Sequence, residues 1–130
     1  MVVAGGVDGD FLIIHIFFKK IFHSARIWDV KTGKELRRFA VHSAPTLDVA
    51  WRDNTSFSTC SSDKTVTFCR WDRDDPIHRW QEHEDEVNAV VWEPATPGGV
   101  SGQDVKFLAS CSDDKVGRKE KKNPFNLKQP

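Results

Sequence analysis

The chain has no tyrosine, a single methionine and no excess of charge of either sign. Its 19 Lys and Arg balance 19 Asp and Glu, so no overall charge favours nucleic acid, and we expect no direct contact with it. The three cysteines, Cys60, Cys69 and Cys111, form no CxxC pair, which argues against a disulfide framework or a zinc site and favours reduced thiols. Five Trp and nine Phe provide enough apolar side chains for the 130 residues to build one core.

Long hydrophobic runs are also scarce, and the longest one is too short to cross a membrane. The stretch "FLIIHIFF" (11–18) ends at Lys19 and Lys20, whereas a spanning helix needs about 20 apolar residues. A signal peptide would need basic residues before its apolar core, but residues 1–10 contain no Lys or Arg. We therefore expect neither a membrane segment nor secretion.

An internal repeat is the strongest feature of the sequence. The segment "HSAPTLDVAW" (42–51) recurs 41 residues later as "HEDEVNAVVW" (83–92). The block "FSTCSSDKT" (57–65) recurs as "FLASCSDDKV" (107–116), with Asp114 51 residues after Asp63. The offset is larger because ten extra residues, "PATPGGVSGQ", form a Pro- and Gly-rich surface loop. Alternating apolar residues, turn signals and a period near 41 residues predict four-stranded propeller blades.

A partial third copy occupies the N-terminus. The segment "VVAGGVDG" (2–9) matches the "STCSSDK" block, with Asp8 in the place of Asp63, and "ARIWDV" (25–30) supplies the next strand. The predicted fold is all-β: a partial β-propeller of about two to three four-stranded blades that does not close on its own. We assign residues 1–116 to this repeat region, with an apolar insert at 10–24, and 117–130 to a disordered basic and polar tail.

The repeats resemble the WD-repeat (WD40) family over residues 1–9 and 25–116. In that family a His, a Ser or Thr, a turn Asp and a Trp form a hydrogen-bonded chain that ties each blade together. The resemblance implies this blade-tying role for Asp8, Trp28, His42, Thr59, Asp63, His83, Ser110 and Asp114. No copy is complete: Cys69 stands six residues after Asp63, where the family has Trp, and Trp71-Asp72 is two residues out of register.

Within this family the chain is most similar to the transducin beta-like 1 group, through "VHSAPTLDVAW" (41–51) and "DRDDPIHRWQEHEDEVNAVVWEP" (72–94). The resemblance implies a nuclear, and also cytoplasmic, scaffold in histone-deacetylase corepressor complexes, or a ubiquitin-ligase adaptor. It implies peptide binding near Pro45, Ser62, Glu86 and Asp113, where acidic groups suit a basic, histone-tail-like partner. That these four are ordinary polar loop residues remains an open alternative.

The apolar insert interrupts the first copy at its turn. Trp28 follows Asp8 by twenty residues, fourteen more than the spacing from Asp63 to Cys69. Three explanations compete: a hydrophobic docking loop, an extra strand or short helix packed on the blade, and translated non-coding sequence, which we favour. The last makes a non-functional or mis-predicted fragment the main alternative to a scaffold.

Other chemistry has little support in the sequence. His83 with Glu84, Asp85 and Glu86 is better explained as a blade-tying His before an acidic loop than as a metal cluster. We expect no enzyme, metal or cofactor, and a small metal-binding or hydrolytic protein is the weakest alternative. With about two and a half copies, the isolated chain is expected to fold only partially and to self-associate through open blade edges.

Overall fold

The computed structural model describes residues 2–5, 11–15, 23–94, 107–115 and 117–120. These residues form eleven β-strands and include no helix, hence none long and apolar enough to cross a membrane. The strands are β1 Val2–Gly5, β2 Phe11–His15, β3 Ala25–Asp29, β4 Glu35–Phe39, β5 Thr46–Trp51, β6 Ser56–Ser61, β7 Val66–Arg70, β8 His78–Trp80, β9 Val87–Trp92, β10 Leu108–Ser112 and β11 Gly117–Glu120.

The strands form three antiparallel sheets, each a meander of neighbouring segments. Sheet A has the order β1-β2-β3-β4, sheet B the order β5-β6-β7-β8, and sheet C the order β9-β10-β11. The all-β class and the partial, unclosed propeller predicted from the sequence are confirmed over the described residues.

Sheet B is covered on both faces, which explains the composition of its central strands. Every residue of β6 and all but the last of β7 are buried, and their sequences, SFSTCS and VTFCR, combine small, β-branched and aromatic side chains. Apolar side chains of both faces enter separate cores, one shared with sheet A and one with sheet C.

The two cores are built from the same repeat positions. Between sheets A and B the buried apolar residues are Ala25, Ile27, Phe39, Val49, Phe57 and Cys69. Between sheets B and C they are Cys60, Val66, Phe68, Trp80, Val87, Val90, Trp92 and Leu108. The repeat offsets relate Phe39 to Trp80 and Phe57 to Leu108, so the second interface reproduces the packing of the first.

The apolar insert contributes a strand. Phe11–His15 forms β2, which pairs with β1 on one side and with β3 on the other. Sheet A therefore has four strands, as sheet B has, with β2 between β1 and β3 where sheet B has β6 between β5 and β7. The prediction that residues 25–30 form the next strand after residues 2–9 is wrong, because β2 lies between them. Of the three explanations for the excess residues, that of a strand describes residues 11–15, and translated non-coding sequence stays a prediction. The physical reason is local, because Phe, Leu and Ile in succession favour extended backbone that completes a ladder with both neighbours.

The prediction of a disordered tail is wrong for residues 117–120. Gly117–Glu120 forms β11, which pairs with β10. The chain reverses at Lys115, whose φ of 65° places it in the left-handed region, as does Lys64 with φ of 74° at the equivalent turn of sheet B. The free edge of β10 can form backbone hydrogen bonds with the segment that follows such a turn, whatever the side chains of that segment. Residues 121–130 lie outside the described residues.

Candidate functional site

His42 lies between β4 and β5, and its ring contacts both the turn after β6 and a buried side chain of β6. Its Nδ1 is 2.9 Å from Oδ2 of Asp63, and its Nε2 is 2.7 Å from Oγ1 of Thr59. Thr59 Oγ1 in turn lies 2.6 Å from Oγ1 of Thr67 on β7. One imidazole therefore connects the turn after β6 with two buried hydroxyls.

His83 makes the same connection in sheet C. Its Nδ1 is 2.7 Å from Oδ2 of Asp114, and its Nε2 is 2.8 Å from Oγ of Ser110. Asp114 also accepts a bond from the backbone N–H of Glu84 at 3.1 Å, as Asp63 does from Ser43 at 3.1 Å. The structure thus brings together two of the three predicted groups, residue for residue.

Asp63 is held as a carboxylate. Burial alone raises its pKa, but hydrogen bonds from His42 and Thr65 outweigh that effect and hold the pKa of Asp63 well below its ordinary value. The backbone N–H of Thr65 donates to Oδ1 at 2.9 Å, which also fixes the tight turn between β6 and β7.

Of the first predicted group the structure describes only Trp28. Trp28 lies on β3, and its buried Nε1 has no hydrogen-bond partner among the described residues. Asp8 lies outside the described residues. In sheet B the place of the indole is taken by Cys69, whose Sγ is 3.7 Å from Oγ1 of Thr67.

Sequence reasoning missed two members of the sheet B group, Thr65 and Thr67. Thr65 Oγ1 is 3.1 Å from His42 Nδ1, and Thr67 extends the chain of hydroxyls beyond Thr59. The signal was the segment "TVT" (65–67), where two hydroxyls flank a core valine directly after the turn.

The arrangement Ser110–His83–Asp114 has the connectivity of a hydrolytic triad, but not its accessibility. Ser110 is 4% exposed and lies within the core-facing side of β10, and the equivalent Thr59 is completely buried. A nucleophile needs a substrate within reach, which these hydroxyls do not have. Burial also raises the pKa of Cys69 to about 11, so that this thiol stays protonated near neutral pH.

The four residues predicted to contact a partner lie on one rim, in two equivalent pairs. The backbone N–H of Ser62 donates to the carbonyl of Pro45 at 3.1 Å, and that of Asp113 donates to the carbonyl of Glu86 at 3.1 Å. Each bond joins the segment before the first strand of a repeat to the turn after its second strand. In the part of the chain that the structure describes, no three His, Cys, Asp or Glu side chains cluster as a metal site would require.

The sheet C half of this rim is acidic. The exposed acidic residues are Glu84, Asp85, Glu86 and Asp113. Asn88 Nδ2 donates to Oδ1 of Asp113 at 2.6 Å, which fixes this carboxylate against β9. The sheet B half carries Pro45 and Ser62 instead, so the negative charge is concentrated at one end of the rim.

Sequence comparisons agree with this geometry. The chain is 47% identical over 69 residues to the F-box-like/WD repeat-containing protein TBL1X of Mus musculus, a match that covers 53% of this chain and 13% of the relative. It is 37% identical over 100 residues to the WD40 repeat-containing protein HOS15 of Arabidopsis thaliana, covering 77% of this chain and 14% of the relative.

The chain is a WD40-repeat protein related to TBL1. It is also 34% identical over 83 residues to the human probable cytosolic iron-sulfur protein assembly protein CIAO1, covering 56% of this chain and 22% of that protein. The chain spans only a small part of the length of these curated relatives. No family model matches it.

Proposed function

We propose that this chain is a protein-interaction module whose rim binds a basic, histone-tail-like segment of a partner. The proposal places it in a nuclear corepressor assembly of the histone-deacetylase kind, with ubiquitin-ligase recruitment as a further role. Relatedness to TBL1 supports this setting, and the coarser statement of a WD40 protein that binds other proteins follows from the relatives themselves.

The observation that carries the proposal is the shared construction of the two rim pairs. Backbone bonds hold the pairs Pro45–Ser62 and Glu86–Asp113 in the same way, so that the two pairs lie at one end of neighbouring sheets. A peptide crossing this rim would meet neutral polar groups first and carboxylates next. Complementary charge of that kind mainly provides specificity and a faster association rate.

Binding rather than catalysis is part of the proposal. It is supported by the burial of Ser110 and Thr59, which leaves the two hydroxyl–imidazole–carboxylate groups as internal ties. We propose the blade-tying role for His42, Thr59, Asp63, His83, Ser110 and Asp114 on the strength of their distances. Trp28 and Asp8 retain it by position in the repeat only.

Binding of a lysine-rich labelled peptide, followed by fluorescence anisotropy, tests the rim. We expect Glu86→Lys and Asp113→Lys each to weaken binding by about tenfold at low ionic strength, with less effect at high salt. The matched control is Asp75→Lys, since Asp75 lies in the connection between β7 and β8, at the opposite end of the strands. Equal weakening by all three variants would remove the rim from the proposal.

The alternative of a non-functional fragment makes a different prediction. Translated non-coding sequence at 10–24 would be absent from mature transcripts, whereas a genuine β2 would be present. Sequencing of transcripts across codons 10–24 and 115–130 separates these cases. Self-association of the chain through its open blade edges is the remaining part of the proposal, and it is tested on the protein itself.

A further inference from the structure

Sheet C has an apolar face that points away from sheet B. Strand alternation places Val90 and Trp92 in the core and leaves the intervening side chains on the other side of the sheet. The residues that β9 and β10 contribute to this terminal face are Ala89, Val91, Ala109 and Cys111. Val91 is 61% exposed, the most exposed large apolar side chain of the described residues.

A shallow hollow of about 300 Å³ continues the terminal face toward the end of β9. Its lining comprises Val91, Trp92, Glu93, Pro94, Phe107 and Ala109. An apolar surface with a hollow of this kind is typical of an interface that another protein element covers.

The equivalent face of sheet B indicates which kind of element covers the terminal face. The repeat equivalents of Val91 and Cys111 are Ala50 and Cys60, on the side of sheet B that faces sheet C. Cys60 is fully buried there and Ala50 packs against the same core. The covering element is therefore a sheet that presents the inner face of the next repeat.

The opposite end of the chain carries a face of that complementary kind. Arg26, Trp28 and Arg38 of sheet A lie 41 positions before Thr67, Cys69 and Arg79. Cys69 enters the core that sheet B shares with sheet A, and the guanidinium of Arg79 donates to the carbonyl of Val41 in the segment joining the two sheets. By alternation along β3 and β4, Arg26, Trp28 and Arg38 point away from sheet B.

We infer that a second copy of this chain docks head to tail, the terminal face of one copy covering the Trp28 face of the next. Sheet C of one copy would pack on sheet A of the next in the same way as sheet A packs on sheet B and sheet B on sheet C within one chain. The inference rests on the proposed self-association. It adds which two surfaces meet, namely the terminal face and the Trp28 face, and that the copies are arranged head to tail. Such a contact is heterologous, so it continues into longer assemblies unless it closes, and two copies would supply six sheets, within the four to eight of known propellers.

Sedimentation velocity of the full chain over a range of concentrations tests the terminal face. We expect reversible association that Val91→Glu weakens by at least about tenfold, because the variant places a carboxylate in an apolar contact. The matched control is Val30→Glu, the same substitution at a side chain that is 52% exposed in the turn between β3 and β4. Both sites are exposed, and circular dichroism checks that both variants keep the β-structure of the parent.

A mixing experiment tests the direction. Arg38 stands at the repeat position of Arg79, which donates to the carbonyl of Val41, and Arg38→Glu removes this donor. This variant and Val91→Glu are therefore each expected to associate at least about tenfold more weakly alone than the parent chain. Mixed, they should form one-to-one pairs, since each retains the face that the other has lost. Association of Arg38→Glu alone as strong as that of the parent chain, with no additional species on mixing, would overturn the head-to-tail arrangement in favour of two terminal faces meeting each other.

The remaining outcomes separate this inference from the proposal beneath it. A monomeric parent chain at every concentration would overturn both the docking mode and the self-association. Association that Val91→Glu and Val30→Glu leave unchanged would overturn the docking mode alone and assign self-association to the strand edges. Peptide binding at the rim is measured independently in either case.

Discussion

His42 and His83 each use both ring nitrogens, which fixes the orientation of the imidazole. In each case Nδ1 lies within hydrogen-bonding distance of the carboxylate of Asp63 or Asp114, and Nε2 within that distance of the hydroxyl of Thr59 or Ser110. Both rings are buried, so removing one would leave the hydroxyl and the carboxylate without this partner.

We expect His42→Ala and His83→Ala each to lower the free energy of unfolding by about 1–3 kcal/mol, the usual effect of leaving buried polar groups unpaired. Urea unfolding followed by circular dichroism measures the change. His23→Ala is the matched control, since His23 is exposed. A loss in the control as large as in the other two would show that the rings have no special role.

Acid should weaken the sheet B group in a defined direction. The pKa of Asp63 lies below its ordinary value of 3.8 in the folded protein, because hydrogen bonds from His42 and Thr65 outweigh the effect of burial. Its contribution to stability is therefore fully present above the ordinary pKa and is lost as pH falls from about 5 toward the folded-state value. Unfolding free energies across this range should fall less steeply for Asp63→Asn than for the parent chain.

The exposed Asp75→Asn provides the comparison for that measurement. If Asp75→Asn flattens the acid side of the stability profile as much as Asp63→Asn does, the hydrogen bonds of Asp63 are not the cause of the pH dependence.

At the scale of the strands, a side chain of sheet B bonds to the backbone of sheet C: Asp48 on β5 contacts Val90 on β9. Its Oδ1 accepts from the backbone N–H of Val49 at 2.9 Å, and its Oδ2 accepts from the backbone N–H of Val90 at 3.1 Å. Burial raises the pKa of Asp48, and the two backbone bonds lower it only in part. A carboxylate on one sheet thus satisfies the backbone of the neighbouring one.

We expect Asp48→Ala to lower the free energy of unfolding by about 1–3 kcal/mol, because the N–H of Val90 loses its acceptor. Asp48→Asn should cost less, since it keeps an amide oxygen and removes a desolvated charge. The pH dependence has the opposite sign to that of Asp63, because a raised folded-state pKa makes the Asp48 contribution more favourable as pH falls. Denaturant titrations of both variants at two pH values check the order and the sign.

The sequence predicted the elements that repeat and missed those that do not. The two copies of the His-to-Trp segment identified β5 and β9, and the "TCSSDK" and "SCSDDK" blocks identified β6 and β10 with their turns. Residues 11–15 alone do not predict β2, because a short apolar run has no periodicity that separates a strand from a helix or a loop. Strand β11 was missed because the segment GRKE (117–120) has no alternation of apolar residues, and its pairing with β10 is a backbone ladder.

The candidate site divides in the same way. His42, Thr59 and Asp63 are far apart in sequence, and only the family resemblance linked them before the structure placed them within hydrogen-bonding distance. Contacts between different sheets, such as that of Asp48 with Val90, correspond to no sequence pattern within one repeat copy. The side chain lies on one blade and its partner on another, so no spacing within a copy specifies them.

Across the whole molecule, sheet B is joined to both neighbours by cores of equivalent construction. Phe57 is completely buried in the core shared with sheet A, and its repeat equivalent Leu108 is 1% exposed in the core shared with sheet C. Arg37 of β4 adds a polar link at the periphery, where it donates to the carbonyl of Trp71 at 2.8 Å and pairs with Asp74.

We expect Phe57→Ala to lower the free energy of unfolding by about 3–5 kcal/mol and Leu108→Ala by about 2–5 kcal/mol, through lost burial and the cavities that remain. Thermal and urea unfolding measure both. Val91→Ala is the control, because that side chain is mostly exposed. Near-equal effects of all three variants would mean that the two interfaces do not determine stability.

Burial of sheet B on both faces also sets the order in which the protein opens. In a stack where each sheet contacts only its neighbours, releasing an end sheet breaks one interface, whereas exposing sheet B breaks two. Fluctuations that release sheet A or sheet C should therefore be the cheaper ones, and their backbone amides should exchange with deuterium first. The amides of β6 and β7 would be the last to exchange, at a rate set by unfolding of the entire chain.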